Sequence, residues 1–283
     1  MKIFALGLAA LVAGSILSAA EADGSFDRSL TISGPVDLDV QTDSGGITVT
    51  AGQSGFVRIH AILQAQHGWF SSNDVYARIR ELERNPPIEQ NGNRVRIGYV
   101  HEHNLLRNIS MRLEIESPAN TELRARADSG GIEVRGLGGR IDCKTDSGGI
   151  EIHDVGSEVH AEADSGGVHI NKTKGAVFAR VDSGGINASD VAGALDVQAD
   201  SGQITIGQTV AAPIRAKAGS GGVRVKLVPG AGYDVSAESD SGTISVPEMA
   251  VNSIFSKHHI EGKIRGGGPS VSIRVDSGGI TIE

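Results

Sequence analysis

DSGGIEVRGLGGRIDCKT (residues 128–145), DSGGIEIHDVGSEVHAEA (146–163), DSGGVHINKTKGAVFARV (164–181) and DSGGINASDVAGALDVQA (182–199) follow one another without a gap, and DSGQI opens a further copy at Asp200. The period is 18 residues throughout. Ile132, Ile150, Val168, Ile186 and Ile204 stand four residues after each Asp, with Val134, Ile152, Ile170, Ala188 and Ile206 two further on. Ile141, Val159, Val177 and Leu195 open a second alternating run. Alternation with period two marks a strand with one buried face. Each copy therefore reads as turn, strand, looser Gly-containing turn, strand. A unit this short cannot bury its apolar side alone, so the copies must stack and share strands. The expected fold is all-β: a parallel β-solenoid (β-helix) of 18-residue coils, each side chain piled on its equivalent one coil away at ~4.8 Å. Two long faces per coil, rather than three short ones, favour right-handed winding.

The same turn appears at Asp43 and Asp276, and in altered form at Gly219 (GSGG) and Asp240 (DSGT). Beyond Asp200 the spacing grows to 19, 21 and then 36 residues. Stacked in chain order, these would be coils with loop insertions, the last a full repeat longer. Composition agrees: Gly is 39 of 283 and aromatics are 4%, leaving Ala, Val and Ile to fill the space between close-set sheets. The glycines do not recur every third residue, which excludes collagen. A net charge of −8 argues against nucleic acid as partner. One cysteine excludes an intrachain disulfide, and Cys143 falls at an inward position.

Residues 1–20 read as a signal peptide: Lys2, an uncharged run from Ile3 to Ile16, then Ser18-Ala19-Ala20 before Glu21. Residues 21–283 then form a single solenoid domain of an exported protein, periplasmic or at the cell surface, with no transmembrane segment after cleavage. Residues 51–110 interrupt the pattern. Phe56–Leu63 and Arg94–Val100 alternate as strands, and Asn73–Arg84 reads as a helix with Val75, Ile79 and Leu82 on one face. Such an insertion is expected to cover an open end or side of the stack. Residues 247–269 read as a long loop.

The repeated DSGG also surrounds the nucleophile of trypsin-like proteases, but a protease uses it once, with His and Asp supplied at fixed geometry. Here it recurs in every coil, which points to a turn in which the Asp carboxylate accepts backbone N–H bonds. The protein is accordingly read as not an enzyme. Asp128, Asp146, Asp164, Asp182 and Asp200 stack in a column, where neighbouring like charges repel by about 1 kcal/mol in water. Calcium is the cation such a column would take; one Asp and one Ser per coil fall short of the six or more oxygens it needs, so no cofactor is expected. His60, His67, His101 and His103 form the candidate metal set. Trp69, Phe70 and Tyr76 are the aromatics of the insertion, read as its small core. Outward positions of the coils form two columns, one containing Glu133, Glu151 and His169, the other Arg135 and His153. They make a flat polar face without concavity, suited to weak contacts repeated along a rod.

The chain resembles the bacterial putative-adhesin domain family, a domain of unknown function, and its relatives among autotransporter-adhesin heads. The resemblance rests on Arg112 to Pro118 followed by Thr121 to Ala127, on the repeated S-G-G-I-x-V unit, and on the ending Gly266-Gly267-Gly268, Val271 to Val275 and Asp276 to Ile282. It covers roughly residues 30–283. It implies a β-solenoid, an exported bacterial protein and no known catalytic residues; the near-uniform DSGG turn and the long 51–110 insertion depart from the family. The expected function is a non-catalytic adhesin or surface-binding scaffold whose partner is a cell-envelope or surface glycan or protein. The alternatives are a carbohydrate-active β-helix enzyme using the insertion loops, favoured by an acid pair in a groove, and a purely structural envelope protein, favoured by an uncapped terminal coil.

Overall fold

Ile141–Ser147 pairs in parallel with Thr121–Ser129 on one side and Val159–Ser165 on the other, so that Cys143 lies between Ala125 and Ala161. Ile150–Val155 does the same between Ile132–Arg135 and Val168–Thr173. The computed structural model, which describes residues 22–66, 74–100, 104–246 and 254–283, continues these two ladders into a 12-stranded first sheet and a 13-stranded second sheet. The signal-peptide reading lies outside the described residues. The inward residues of the repeats, from Ile132 and Ile141 to Ile206 and Val197, are buried and form one continuous core between the sheets.

Each DSGG turn is held by its neighbour. The third residue of the turn donates its N–H to the serine carbonyl one coil away: Gly130 to Ser147, Gly148 to Ser165, Gly166 to Ser183, at 2.8–2.9 Å. These glycines, Gly45 to Gly278, have φ between +120° and +158°. A Cβ on Gly148 would lie 2.2 Å from the carbonyl oxygen of Gly130. The fourth position is different: a Cβ on Gly149 finds its nearest neighbour at 3.5 Å. Gln203 and Thr243 occupy that position in the DSGQ and DSGT turns.

This ladder also fixes the stacking order, and it is not the chain order expected above. Gly202 bonds to Ser220, Gly221 bonds to Ser277, and Gly278 bonds to Ser241. The coil of Ser270–Ser277 and Ile280–Ile282 is thus interposed between the coil of residues 214–226 and that of residues 233–245. The 36-residue step is therefore a detour rather than an enlarged coil. From Tyr233–Ser241 the chain passes through Ile244–Ser245 to Ile254–Phe255 and His259–Ile264, the last running antiparallel along the outside of Tyr233–Ser241. It then crosses to the inner side through Gly266 and Gly267, both at positive φ. Gly268 passes so close to Gly232 that a Cβ would meet its carbonyl oxygen at 2.3 Å. Ile254–Phe255 and His259–Ile264 are thus strands within the segment read as a loop, while 247–253 lie outside the described residues. The other end shows a related interposition: Ile47–Gly52 sits between Ile109–Pro118 and Ile132–Arg135.

Antiparallel strands close that other end. Phe56–Ala65 pairs with Ile109–Pro118 and with Gly24–Thr31 at the margin of the first sheet, and the hairpin of Ile88–Asn91 and Arg94–Ile97 borders the second. The helix Asp74–Arg84 packs Val75, Ile79 and Leu82 inward, and Arg28 Nη2 donates to the carbonyls of Glu83 and Arg84 at its C-terminus. Asn73, the first residue of the expected helix, lies outside the described residues. Phe26 and Tyr233 are buried rings that the alternation did not anticipate; both lie outside the uniform coils. The Tyr233 hydroxyl accepts the Val228 N–H at 3.2 Å and donates to Gln208 Oε1 at 3.4 Å.

Cys143 is 1% exposed, and burial, seconded by the Asp142 charge, pushes its thiol far above the usual range. Thiolate is the reactive form. The native thiol is therefore expected to resist a disulfide reagent at pH 8 and to react promptly in denaturant, with Cys143→Ala costing about 1 kcal/mol. Prompt reaction of the native protein would mean that the strand faces the other way, a one-residue slip.

Candidate functional site

Strand register, antiparallel at one margin and parallel beyond it, carries outward side chains into rows across the first sheet. One row runs Asp27, His60, Glu114, Thr48, Glu133, Glu151, His169. The adjacent row runs Ser29, Arg58, Glu116, Thr50, Arg135, His153. The five residues expected from the repeats, Glu133, Glu151, His169, Arg135 and His153, therefore stand together on one face. The structure extends that face through strands whose contribution no repeat announces.

At this extension the face is not flat. Short Thr48 and Thr50 lie between the longer side chains of Glu114, Glu116, Glu133 and Arg135, and a groove of about 710 Å³ opens over Thr48, Thr50, Arg58, His60 and Glu114. None of the five repeat residues lines this groove; it lies beyond the columns read as flat, where strands outside the repeat join the sheet. His60 Nδ1 is 2.8 Å from Asp27 Oδ1. Arg58 Nη1 donates to Glu116 Oε2 at 3.1 Å and its Nη2 to Gln53 Oε1 at 3.0 Å. Farther along, Arg135 bonds Glu133, and His153 Nε2 lies 3.9 Å from Glu151 Oε2. Pairs this exposed contribute about 0–1 kcal/mol each; they set orientation more than stability. Glu114 has no hydrogen-bond or ion-pair partner among the described residues, which leaves one open carboxylate beside Thr48 and the His60–Asp27 pair. The groove can accept hydrogen bonds from hydroxyl or amine groups.

His60 is thus engaged by Asp27, and His67, His101 and His103, with Trp69 and Phe70, lie outside the described residues. Among the described residues no group of three His, Cys, Asp or Glu side chains is arranged to hold a metal ion, and no helix is long and apolar enough to cross a membrane. Tyr76 is 42% exposed rather than buried in a small core, because the helix turns Val75 inward and Tyr76 away.

The aspartate column is longer than expected: Asp43 precedes Asp128, and beyond Gly219 come Asp276 and then Asp240. The Asx bond is not what holds the turn. Asp128, Asp146 and Asp164 have no hydrogen-bond or ion-pair partner among the described residues, whereas Asp182, Asp200 and Asp276 meet Arg180 (3.6 Å), Gln198 (3.2 Å) and Arg274 (4.0 Å) two residues earlier. The coil-to-coil backbone bonds already satisfy the turn. Burial, then the charges of Asp43 and Asp146, hold the Asp128 carboxyl above its ordinary range. The native state therefore binds this proton more tightly than the unfolded chain does. Ionised Asp128 lowers stability at neutral pH, and the penalty is relieved as pH falls through the raised pKa. Asp128→Asn is expected to be the more stable protein in urea at pH 7, with the gain gone by about pH 3, where both side chains are neutral. A gain unchanged at pH 3 would exclude charge as its cause.

The outer face of the second sheet carries a feature that the repeats did not bring forward. The alternation that turns Val177 and Ala179 inward turns Phe178 outward, 39% exposed; an aromatic at an outward position was the available signal.

A family model for Toastrack DUF4097 matches residues 82–283. Among solved structures, a putative adhesin from Bacteroides fragilis is similar at 14% identity over 92% of this chain and 97% of its own, with a TM-score of 0.50. A putative cell adhesion protein from Clostridium sporogenes matches at 14% identity over 91% of this chain and 98% of its own, with a TM-score of 0.26. At 14% identity the likeness to the Bacteroides fragilis structure concerns the fold alone. No curated protein matches the chain.

Proposed function

The chain belongs to the Toastrack DUF4097 family, and from that premise we propose a non-catalytic, surface-binding β-solenoid of the bacterial envelope, exported after loss of residues 1–20 and attaching to an extended partner through the outer face of its first sheet. Residues 21–283 act as one domain, and its coils wind right-handed with 18 residues each. The register steps from Ile141 to Val159 to Val177 support that coil length. One observation carries the functional reading: the polar rows of the first sheet continue in register from Asp27 to His169, so an extended partner meets polar and charged side chains on strand after strand. Weak contacts so arranged gain affinity through multivalency. The similar Bacteroides fragilis structure is named a putative adhesin, a name in keeping with this reading, though the likeness itself is one of fold.

The test compares surface-immobilised multimers with the soluble protein on cell-envelope material. Multimers should bind at least about tenfold more tightly, and a double variant, Arg135→Ala with Glu151→Ala, should abolish retention without loss of folding. Equal binding by monomer and multimer would reject the avidity reading. The carbohydrate-active alternative draws on one observation, the presence of Glu114 and Glu116 in the same groove. Release of reducing ends from a polysaccharide, lost in Glu114→Gln, would promote it.

A further inference from the structure

The second sheet presents a different outer surface. Phe178 and its register partner His160 stack with ring centroids 4.6 Å apart and planes inclined by 24°. His160 Nε2 lies 2.7 Å from Glu158 Oε1, which fixes the imidazole against the phenyl ring. Hollows of about 170 and 320 Å³ open beside this stack, and Phe178 and Asp196 line both. Asp196 and Arg215 are cross-strand partners, yet neither has a hydrogen-bond or ion-pair partner among the described residues. The other charges at the first hollow are already matched: Glu162 meets Lys144 at 3.3 Å and Arg180 meets Asp182 at 3.6 Å.

These features select a ligand class. A polyanion would need an excess of free cations, and here a free guanidinium stands beside a free carboxylate. The matched charges suit an uncharged ligand. The exposed ring calls for an apolar face, and Asp196 and Arg215 call for donors and acceptors side by side, since a carboxylate only accepts and a guanidinium only donates. A pyranose has this chemistry: C–H groups on its face, hydroxyls that both donate and accept on its rim. Successive hollows lie along the stack, so the ligand is a chain spanning at least two coils, about 10 Å.

We propose that the outer face of the second sheet is a glycan site in which a neutral linear polysaccharide lays one sugar ring on Phe178 and hydrogen-bonds its hydroxyls to Asp196 and Arg215. The site shares no residue with the first-sheet face and goes beyond the function proposed for it.

The test is calorimetric titration of the full protein with hexasaccharides of β-1,4-linked glucose, mannose and N-acetylglucosamine. At least one should bind. Phe178→Ala should weaken it about tenfold, as for an aromatic anchor, and Asp196→Asn about fivefold, both with unchanged melting temperature. Arg135→Ala with Glu151→Ala, on the first sheet, should leave the titration unaltered, so failure of either site is read separately. Affinity should change less than about twofold between 50 mM and 500 mM salt. The site is refuted if none of the three sugars binds, if Phe178→Ala and Asp196→Asn bind as tightly as the parent, or if binding is confined to a sulfated polymer and collapses with salt.

Discussion

Removal of residues 270–283 is expected to abolish cooperative folding, although it takes away only the last coil of the chain. Val271, Ile273, Val275, Ile280 and Ile282 are all buried. At roughly 2 kcal/mol each their burial contributes on the order of 10 kcal/mol, comparable with the whole stability of an ordinary domain, about 5–15 kcal/mol. Position makes the loss worse. The coil pairs with residues 214–226 on one side and 233–245 on the other, so deletion removes two interfaces, and 233–245 can then meet 214–226 only in a pairing that the finished molecule does not contain. The truncated protein should bind a hydrophobic dye strongly and unfold in urea without a sigmoidal transition. A sharp transition within about 2 kcal/mol of the parent would show that the last coil lies at the periphery.

Gly148→Ala and Gly149→Ala, adjacent and chemically identical changes, should differ by several kcal/mol. Gly148 has φ +148° and its Cβ would stand 2.2 Å from the Gly130 carbonyl oxygen. That backbone region is essentially reserved to glycine, at about 1–3 kcal/mol for other residues. Relief of the clash must also push apart adjacent coils whose own bond, Gly130 N–H to the Ser147 carbonyl, is 2.8 Å long, adding about 1–3 kcal/mol. Together these come to about 4 kcal/mol. At Gly149 the nearest atom to a new Cβ is 3.5 Å away, an ordinary contact, so about 0.5 kcal/mol either way is expected. Urea denaturation of the two variants against the parent decides it; equal midpoints would remove the glycine ladder as the determinant of coil spacing.

The coils were legible because their information is local and repeated. Alternation placed Ile150 and Ile152 inward and Glu151 and His153 outward, and register follows once one face is buried. Stacking order was not legible for the same reason: every turn carries nearly the same DSGG, so any coil fits beside any other, and spacing says nothing about which neighbours which. Only the antiparallel return through His259–Ile264 and the glycine crossing at 266–268 place the final coil inside. The site divided similarly. Glu133, Glu151 and His169 came from the repeat, whereas Asp27, His60 and Glu114 are brought together by antiparallel pairings that have no period to read. The Asp side chains misled because an Asx bond is the usual device of an isolated turn, and these turns are bonded to one another.

The interposed coil also means that the order of synthesis is not the order of assembly. As the chain is made, Tyr233–Ser241 exists before Ser270–Ser277 does. Val235 and Ile214 both align with Val271 in the finished molecule, so the earlier segment fits the open edge of residues 214–220 in the register that the later one must take. A nascent chain therefore has a ready wrong partner, and maturation has to prise that pairing apart to admit the latecomer. Its closing event is an insertion, not an addition, of the kind that leaves kinetic traps behind it. Pulsed hydrogen exchange during refolding should show amides of 214–226 protected well before those of 270–282; simultaneous protection would mean the two ends of the detour dock as one piece.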